Sequence, residues 1–244
     1  MSERAVKPEI VIDTPAALAR TFATRFASEA SSAIAARGRF SWALPGGSVA
    51  ETFLPVLART PVEWGQVEFF WGDERAVEPG DPDSNYGLAK RLLLDHVPVD
   101  LRRVHRMVGE ADDLDAAASA YEEEMVRVLG EPPRIDLILL GLGPDGHVCS
   151  LFPGHPLLRE RARRVAAITD SPKPPPRRLT FTMVPLELAS MICVAGFGAA
   201  KAAAIREALE TPDSALPVAL ALRSTPRPLL LVDPPAASLL RPEA

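Results

Sequence analysis

Residues 136–147 read DLILLGLGPDGH, a short apolar run that passes directly into a glycine-rich loop. The run from Leu137 to Leu140 has no polar residue, as expected for a strand that is buried on both faces of a parallel sheet. Other strand-like runs lie at residues 10–12, 40–44, 67–71, 165–169, 179–183, 191–195 and 229–232. Helix-like stretches separate many of them, which predicts an α/β fold with a single doubly wound, mostly parallel sheet flanked by helices. We expect one domain over residues 1–244.

Capping residues mark the predicted helices. Ser48 with Glu51 three positions later has the spacing of a capping box, which predicts that a helix begins at Ser48. Pro15 suits the first turn of an earlier helix, which Asp13 or Thr14 caps and Gly38 ends. Further helices are predicted over residues 84–96, 113–129 and 199–209, with a polar stretch at 72–83 and an irregular proline-rich stretch at 171–176.

The composition limits the function classes. Hydrophobic residues make up 47% of the 244 and charged residues 24%, which is the ordinary range for a globular protein. The net charge of −5 disfavours a nucleic-acid partner, because such binding depends on clustered Lys and Arg. An acidic enzyme can still bind an anionic substrate through a locally basic pocket.

The sequence also indicates the compartment. Cys149 and Cys193 form no CxxC motif, so we expect reduced thiols. The beginning of the sequence lacks a secretory pattern, and no apolar run reaches the roughly 18 residues of a membrane span. We therefore expect a cytoplasmic protein without a membrane partner.

Three glycine-containing loops follow predicted strands, at the carboxyl ends where open α/β sheets bind ligands. The first is Pro45-Gly46-Gly47-Ser48. Its glycines permit close approach of the backbone, and the start of the next helix offers free N–H groups to a phosphate. The alternative is an ordinary tight turn between strand and helix.

The second and third loops carry charged and titratable groups. Gly72-Asp73-Glu74-Arg75 is either the charged wall of a pocket or a solvated turn with a local ion pair. In the third loop, residues 141–154, Asp145 precedes His147 by two positions. A histidine with a near-neutral pKa can take a proton from water, and a nearby carboxylate can orient it. The alternative is a surface or capping histidine.

Two further segments supply cations. Residues 170–178 combine four prolines with Lys173, Arg177 and Arg178, which suits either capture of an anion or a solvated, stiff connection. Lys201 lies near a predicted helix start, where a cation is unfavourable unless an anionic ligand is close by. A solvent-facing lysine is the alternative.

Other chemistries find little support. His96, His105 and His155 have no metal-ligand spacing with one another or with the cysteines, so we expect no metal. Cys149 is disfavoured as a nucleophile, because neighbouring loop residues such as His147 and Cys149 seldom face the same atom. The serines lack a G-x-S-x-G nucleophile elbow.

Taken together, these segments resemble the glucosamine-6-phosphate isomerase/6-phosphogluconolactonase superfamily, and within it the lactonases. The match covers residues 40–209, and its most specific parts are GPDGHVCSLFP at 143–153 and SPKPPPRR at 171–178. The other matching pieces are Pro45-Gly46-Gly47-Ser48, Asp73-Glu74-Arg75, Ser84-Asn85-Tyr86, residues 179–182 and Lys201-Ala202. The resemblance implies a Rossmann-like fold of the sugar-phosphate isomerase/lactonase type.

The resemblance also implies an activity and a site. The activity is hydrolysis of 6-phospho-D-glucono-1,5-lactone to 6-phosphogluconate in the oxidative pentose phosphate pathway, without a metal or other cofactor. His147 would activate water, with Asp145, Arg75 and Asp73 in the catalytic site. The phosphate would lie near Gly46, Gly47, Ser48, Lys173, Arg178 and Lys201. Pro45 and Val49 depart from the usual residues, but backbone donors do the work there.

Two alternatives remain. The related deaminases have a glutamate where this chain has Phe152, and Asp-Glu-Tyr where it has Asp73-Glu74-Arg75, so both differences favour lactone hydrolysis. A non-catalytic sugar-phosphate sensor normally carries a helix-turn-helix ahead of this domain, whereas about forty residues precede the glycine loop here. We expect a small phosphorylated sugar lactone as the partner, and a monomer or weak homo-oligomer.

Overall fold

The main feature of the fold is a six-stranded sheet in which every pair of neighbouring strands is parallel. The computed structural model describes residues 6–241, so the predicted domain of residues 1–244 extends beyond it at both ends. The strand order is β1-β9-β8-β5-β2-β3. The strands of this sheet are β1 (Glu9–Ile12), β2 (Phe40–Leu44), β3 (Val67–Trp71), β5 (Leu137–Gly141), β8 (Ile192–Gly196) and β9 (Pro228–Val232). The predicted α/β class with a mostly parallel sheet is confirmed.

Seven α-helices lie among the described residues. They are α1 (Pro15–Arg37), α2 (Gly47–Leu57), α3 (Asn85–Leu92), α4 (Leu114–Leu129), α5 (Met183–Leu188), α6 (Ala202–Glu210) and α7 (Pro217–Ser224). The short helices α5 and α7 were not predicted from the sequence. Within residues 6–241, no helix combines the length and the apolar character needed to cross a bilayer.

Strand β5 shows why the sheet is covered on both sides. Leu137 and Leu139 join one buried apolar cluster with residues of α1 and α2, whereas Ile138 and Leu140 join a second cluster with residues of α4 and α7. Successive side chains of a strand point to opposite faces, so an unbroken apolar run requires apolar layers on both. The prediction of a doubly buried strand is confirmed.

A second, smaller sheet was not predicted. Strands β4 (Asp73–Arg75), β7 (Arg178–Phe181) and β6 (Val165–Ile168) pair antiparallel in the order β4-β7-β6. The polar stretch at 72–83 therefore contains a strand. Its three charged residues have no strand pattern of their own, and pairing with β7 determines their conformation.

The caps agree with the sequence except at one helix. Thr14 caps α1 through a hydrogen bond from the Ala17 N–H group, and Gly38 ends α1 in the left-handed conformation with φ of 71°. The predicted capping box at Ser48 is wrong, because α2 begins at Gly47 and its N-cap Gly46 has no side chain. The chain turns so tightly after β2 that the helix starts one residue earlier than the serine.

Candidate active site

A cleft of about 260 Å³ opens at the carboxyl ends of the central strands. Because β2, β3, β5 and β8 are parallel, the loops that follow them reach the same edge of the sheet. The cleft is lined by most of the predicted site residues: Gly46, Gly47, Ser48, Asp73, Arg75, His147, Lys173, Arg178 and Lys201. Asp145 contacts the cleft through His147.

The glycine turn after β2 forms one wall of the cleft. Gly47 has φ of 58°, a left-handed backbone conformation that residues other than glycine rarely adopt. Ser48 follows in the first turn of α2 and is exposed at the cleft. The free N–H groups and the positive end of the helix dipole favour an anion at this wall.

His147 is the histidine that lines the cleft. Its Nδ1 atom lies 2.5 Å from Oδ1 of Asp145, and the imidazole is 18% exposed. The loop fits closely around the ring, since a Cβ atom on Gly143 would lie 2.0 Å from Nδ1. A second constraint comes from the Gly143 N–H group, which donates to the His147 carbonyl at 2.9 Å. The ring is therefore held in one orientation.

The electrostatic surroundings keep this imidazole neutral near pH 7. Burial lowers the pKa of His147 below 6.5, and the positive charge of Lys173 adds to the effect. Asp145 and Asp73 act in the opposite direction through their negative charges. Burial is the largest single influence on Asp145 and opposes its ionisation, but the hydrogen bond from His147, the charge of His147 and the backbone N–H groups of Asp145 and His147 together outweigh it and leave the pKa of Asp145 below 3.8. Asp145 is therefore an ionised acceptor.

Asp73 lies at the centre of a buried network below the histidine. Its Oδ2 atom accepts a hydrogen bond from Ser150 Oγ at 2.7 Å and lies 3.8 Å from Nη1 of Arg178. Nη1 of Arg178 also donates to Ser150 Oγ at 3.3 Å. Ser150 was not predicted as a site residue, although its position three residues after His147 in the specific motif was a signal.

The three adjacent charges after β3 have different roles. Glu74 is buried, and its carboxylate accepts hydrogen bonds from the backbone N–H groups of Arg75, Asn85 and Tyr86. Burial raises the pKa of Glu74. Glu74 thus fixes the start of α3, whereas Asp73 and Arg75 line the cleft. The sequence left open whether this stretch is a solvated turn, and the structure makes it a pocket wall.

Arg178 and Arg177 are distinguished by the structure. Arg178 is buried, and its guanidinium donates to the carbonyl oxygens of Lys173, Pro174 and Pro175 at 3.0–3.1 Å. Arg177 is exposed and donates instead to the Asp112 carbonyl at 3.4 Å. Arg178 therefore shapes the proline-rich loop from within and reaches the cleft, and Lys173 is the exposed cation of this loop that lines the cleft.

Lys201 enters the cleft from the turn after β8. It is the residue before α6, which begins at Ala202 and not at the predicted Ala199, because residues 199–201 form a 3-10 turn, and it is partly buried. Burial lowers the pKa of Lys201, the charge of Lys173 lowers it further, and Asp145 opposes both. Two lysines that repel each other at one cleft create a place where an anion is favourable.

Cys149 also lines the cleft but is a poor nucleophile. Burial and the negative charge of Asp73 raise the pKa of its thiol well above the usual range, so the reactive thiolate is disfavoured. Within residues 6–241, no three His, Cys, Asp or Glu side chains are grouped in a way that could hold a metal ion.

Comparison with known proteins gives the chain a set of relatives. A family profile described as glucosamine-6-phosphate isomerases/6-phosphogluconolactonase matches residues 13–229. A 6-phosphogluconolactonase of Streptomyces coelicolor is 37% identical, over 96% of this chain and 95% of that protein. A 6-phosphogluconolactonase of Rattus norvegicus is 38% identical, over 94% of this chain and 92% of that protein.

Solved structures agree with these relatives. The 6-phosphogluconolactonase from Trypanosoma brucei superposes with a TM-score of 0.84 and 26% identity, over 96% of this chain and 99% of that chain. A monomeric glucosamine-6-phosphate deaminase gives a TM-score of 0.81 at 24% identity, over 96% of this chain and 100% of that chain. At that identity the second likeness shows the fold alone.

Proposed function

This chain belongs to the glucosamine-6-phosphate isomerase/6-phosphogluconolactonase family, and we propose that it opens its lactone substrate by means of His147 acting on water. The activity is hydrolysis of 6-phosphogluconolactone in the pentose phosphate pathway, and relatives that match most of the chain are named 6-phosphogluconolactonase. One observation carries the proposal for the base. The Nδ1 atom of His147 is held by Asp145, and the ring lines the cleft that the glycine turn bounds.

The hydrogen bond to Asp145 determines which nitrogen reacts. An ionised carboxylate only accepts hydrogen bonds, so Nδ1 of a neutral His147 carries the proton. The lone pair is then on Nε2, for which no protein hydrogen bond is found among residues 6–241. A neutral imidazole with its lone pair on Nε2 is the form that removes a proton from water.

The phosphate end of the substrate is bound by the glycine turn and the lysines. The first turn of α2 supplies backbone N–H groups, and Lys173 and Lys201 supply positive charge on the cleft. Arg178 contributes mainly by holding the loop that carries Lys173, since most of its N–H groups are already used by loop carbonyls. Anchoring the phosphate places the lactone carbonyl relative to His147 and provides proximity.

The charge changes of the reaction match the groups around the cleft. Attack of water on the carbonyl carbon forms a tetrahedral oxyanion and converts His147 to an imidazolium. The negative charges of Asp145 and Asp73 favour that imidazolium. Arg75 lines the cleft and is the cation that we assign to the oxyanion. His147 then returns the proton to the ring oxygen as the C–O bond breaks.

Phe152 separates this chemistry from that of the deaminases. Its ring contacts the imidazole of His147, with the ring centroids 4.8 Å apart. The related deaminases have a glutamate at this place, and that carboxylate assists the opening of an amino sugar. A phenyl ring cannot transfer a proton, so the site retains the hydrolytic base but lacks the group needed for isomerisation.

The direct test is an assay of lactone opening. The lactone is generated in the cuvette from glucose 6-phosphate by a dehydrogenase, and its disappearance is followed with and without the protein. We expect opening well above the spontaneous rate, and no ammonia release from glucosamine 6-phosphate. Opening at the spontaneous rate would reject the proposed activity, and ammonia release would assign the chain to the deaminases.

A further inference from the structure

Asn85 is a buried cleft residue to which the reaction described above gives no role. It is the first residue of α3, directly after the cap Ser84, and is 1% exposed. Its backbone N–H group donates to Oε1 of Glu74 at 2.7 Å, while Ser84 Oγ donates to the other oxygen of Glu74 at 3.1 Å. The buried Glu74 carboxylate therefore holds Asn85 rigidly in place.

The carboxamide nitrogen of Asn85 is directed at Asp73. Nδ2 donates to the backbone carbonyl of Asp73 at 2.9 Å and to its Oδ1 atom at 3.1 Å. The other carboxylate oxygen of Asp73 accepts from Ser150. Asp73 is thereby bound from two sides, and Asn85 provides one of them.

The carboxamide oxygen of Asn85 is directed at the glycine turn. Oδ1 is buried and has no hydrogen-bond partner within residues 6–241. A Cβ atom on Gly46 would lie only 1.9 Å from this oxygen and 2.4 Å from Cγ. Gly46 itself has φ of −107° and ψ of −171°, a conformation that any residue adopts. Space occupied by Asn85, and not backbone torsion, therefore requires glycine at position 46.

We propose that Asn85 is a positioning residue that locks the glycine turn to Asp73. The inference rests on the proposed function, in which the turn binds phosphate and Asp73 favours the imidazolium of His147. The planar carboxamide of Asn85 contacts both the glycine turn and Asp73. It therefore sets the distance between the turn that binds phosphate and the negative charge of Asp73. Burying the carboxamide oxygen of Asn85 without a hydrogen-bond donor costs free energy of folding. If Asn85 only filled space, an apolar side chain would fill it without that cost.

A double-mutant cycle on Gly46 and Asn85 tests this interlock. Gly46→Ala should lower kcat/KM by roughly 10²-fold, because the turn must move by about an ångström to avoid the carboxamide. Asn85→Ala alone should lower kcat/KM by about tenfold through the loss of both hydrogen bonds from Nδ2 to Asp73. In the Asn85→Ala background the space beside Gly46 is free, so adding Gly46→Ala should lower kcat/KM by less than about threefold. Gly80→Ala is the matched control, because no atom lies within 4 Å of its added Cβ.

The Kd of inorganic phosphate distinguishes a positioning role of Asn85 from a role in the general stability of the protein. Gly46→Ala should raise the Kd of phosphate by about tenfold, and the double variant should restore it to within about threefold of wild type. A purely structural role would change the melting temperature without restoring phosphate affinity. If Asn85→Ala does not fold, Asn85→Ser, which suits the first turn of a helix, carries the same cycle.

The outcomes are distinct from those of the activity test. The interlock is overturned if Gly46→Ala lowers kcat/KM by the same factor in the wild-type and Asn85→Ala backgrounds. It is also overturned if Asn85→Ala keeps the wild-type kcat/KM and phosphate affinity. A wild-type protein that does not accelerate lactone opening rejects the proposed function instead. The phosphate measurement needs no turnover, so the interlock is judged independently of the reaction.

Discussion

His105 and His147 are two histidines that lie beside carboxylates, and we expect only His147 to act as a base. His105 is buried with its side chain 3% exposed, Nδ1 2.7 Å from Glu124 and Nε2 2.9 Å from Glu68. His147 has the same kind of contact at Nδ1, but its ring lines the cleft and its side chain is 18% exposed. Both nitrogens of His105 are used to join β3 to α4.

The comparison shows that a carboxylate neighbour does not by itself identify a catalytic histidine. The decisive feature is a lone pair that faces space large enough for water and a substrate. The ring of His105 stacks on Phe70 with centroids 4.7 Å apart, so one of its faces is closed as well. We therefore expect His147 to control the rate and His105 to control stability.

Replacing His147 should have the largest effect. His147→Ala should lower kcat by about 10²–10⁴-fold, the usual range for loss of a general base, with little change in the free energy of unfolding. Turnover of the enzymatically generated lactone, measured beside a denaturation curve, checks both parts. A variant that still turns over at the wild-type rate would remove His147 from the mechanism.

His105→Gln should show the opposite pattern. Glutamine replaces at most one of the two hydrogen bonds and leaves the buried Glu68 with fewer partners, so the free energy of unfolding should fall by about 2 kcal/mol. The kcat of the folded fraction should remain within about twofold of wild type. Chemical denaturation and active-site-normalised turnover check this, and a loss of kcat as large as that of His147→Ala would end the distinction between the two histidines.

Asp145→Asn sharpens the comparison by changing only the carboxylate beside the base. An asparagine can still accept from Nδ1, but it no longer stabilises the imidazolium, so kcat should fall by roughly 10²-fold. Since Asp145 raises the pKa of His147, the acidic limb of kcat/KM should also move to lower pH. An unchanged pH profile with unchanged kcat would mean that Asp145 does not act on His147.

The smallest expected effect concerns the cations. Lys201→Ala should raise KM by about tenfold and lower kcat less, because the proposed contact of the lysine with the remote phosphate would form in the ground state and in the transition state alike. Lys90→Ala is the matched control, since Lys90 is exposed on α3 and pairs with Asp95. Equal KM values for the two variants would place the phosphate away from Lys201.

Local patterns predicted much of the scaffold. The bounds of β2 and β3 are those expected from the sequence, because each is an apolar or aromatic run between turn signals. Strand β4 could not be predicted, because Asp73, Glu74 and Arg75 form a strand only by pairing with β7. The same limit applies to Ser48, which the sequence predicts as a cap but which lies within the first turn of α2, because the helix already begins at Gly47.

The candidate site divides in the same way. His147 and Asp145 are two positions apart, so a local motif predicted their contact. The bonds of Asp73 to Ser150 and to Asn85 join distant segments, and only the folded chain brings them together. The sequence also could not separate Arg177 from Arg178, because only the folded chain shows that Arg178, the first residue of β7, is buried and that Arg177 before it is exposed.

The protonation state of His147 is the most direct test of the proposed mechanism, and ¹⁵N NMR of the imidazole measures it during a pH titration. Burial keeps the pKa of His147 below 6.5, and only the neutral ring accepts a proton, so kcat/KM should fall as the pH decreases through this pKa. We predict a neutral ring at pH 7 with the proton on Nδ1, titrating at the midpoint of the acidic limb of kcat/KM. A proton on Nε2 at pH 7, or a titration that does not coincide with the kinetic limb, would contradict the account.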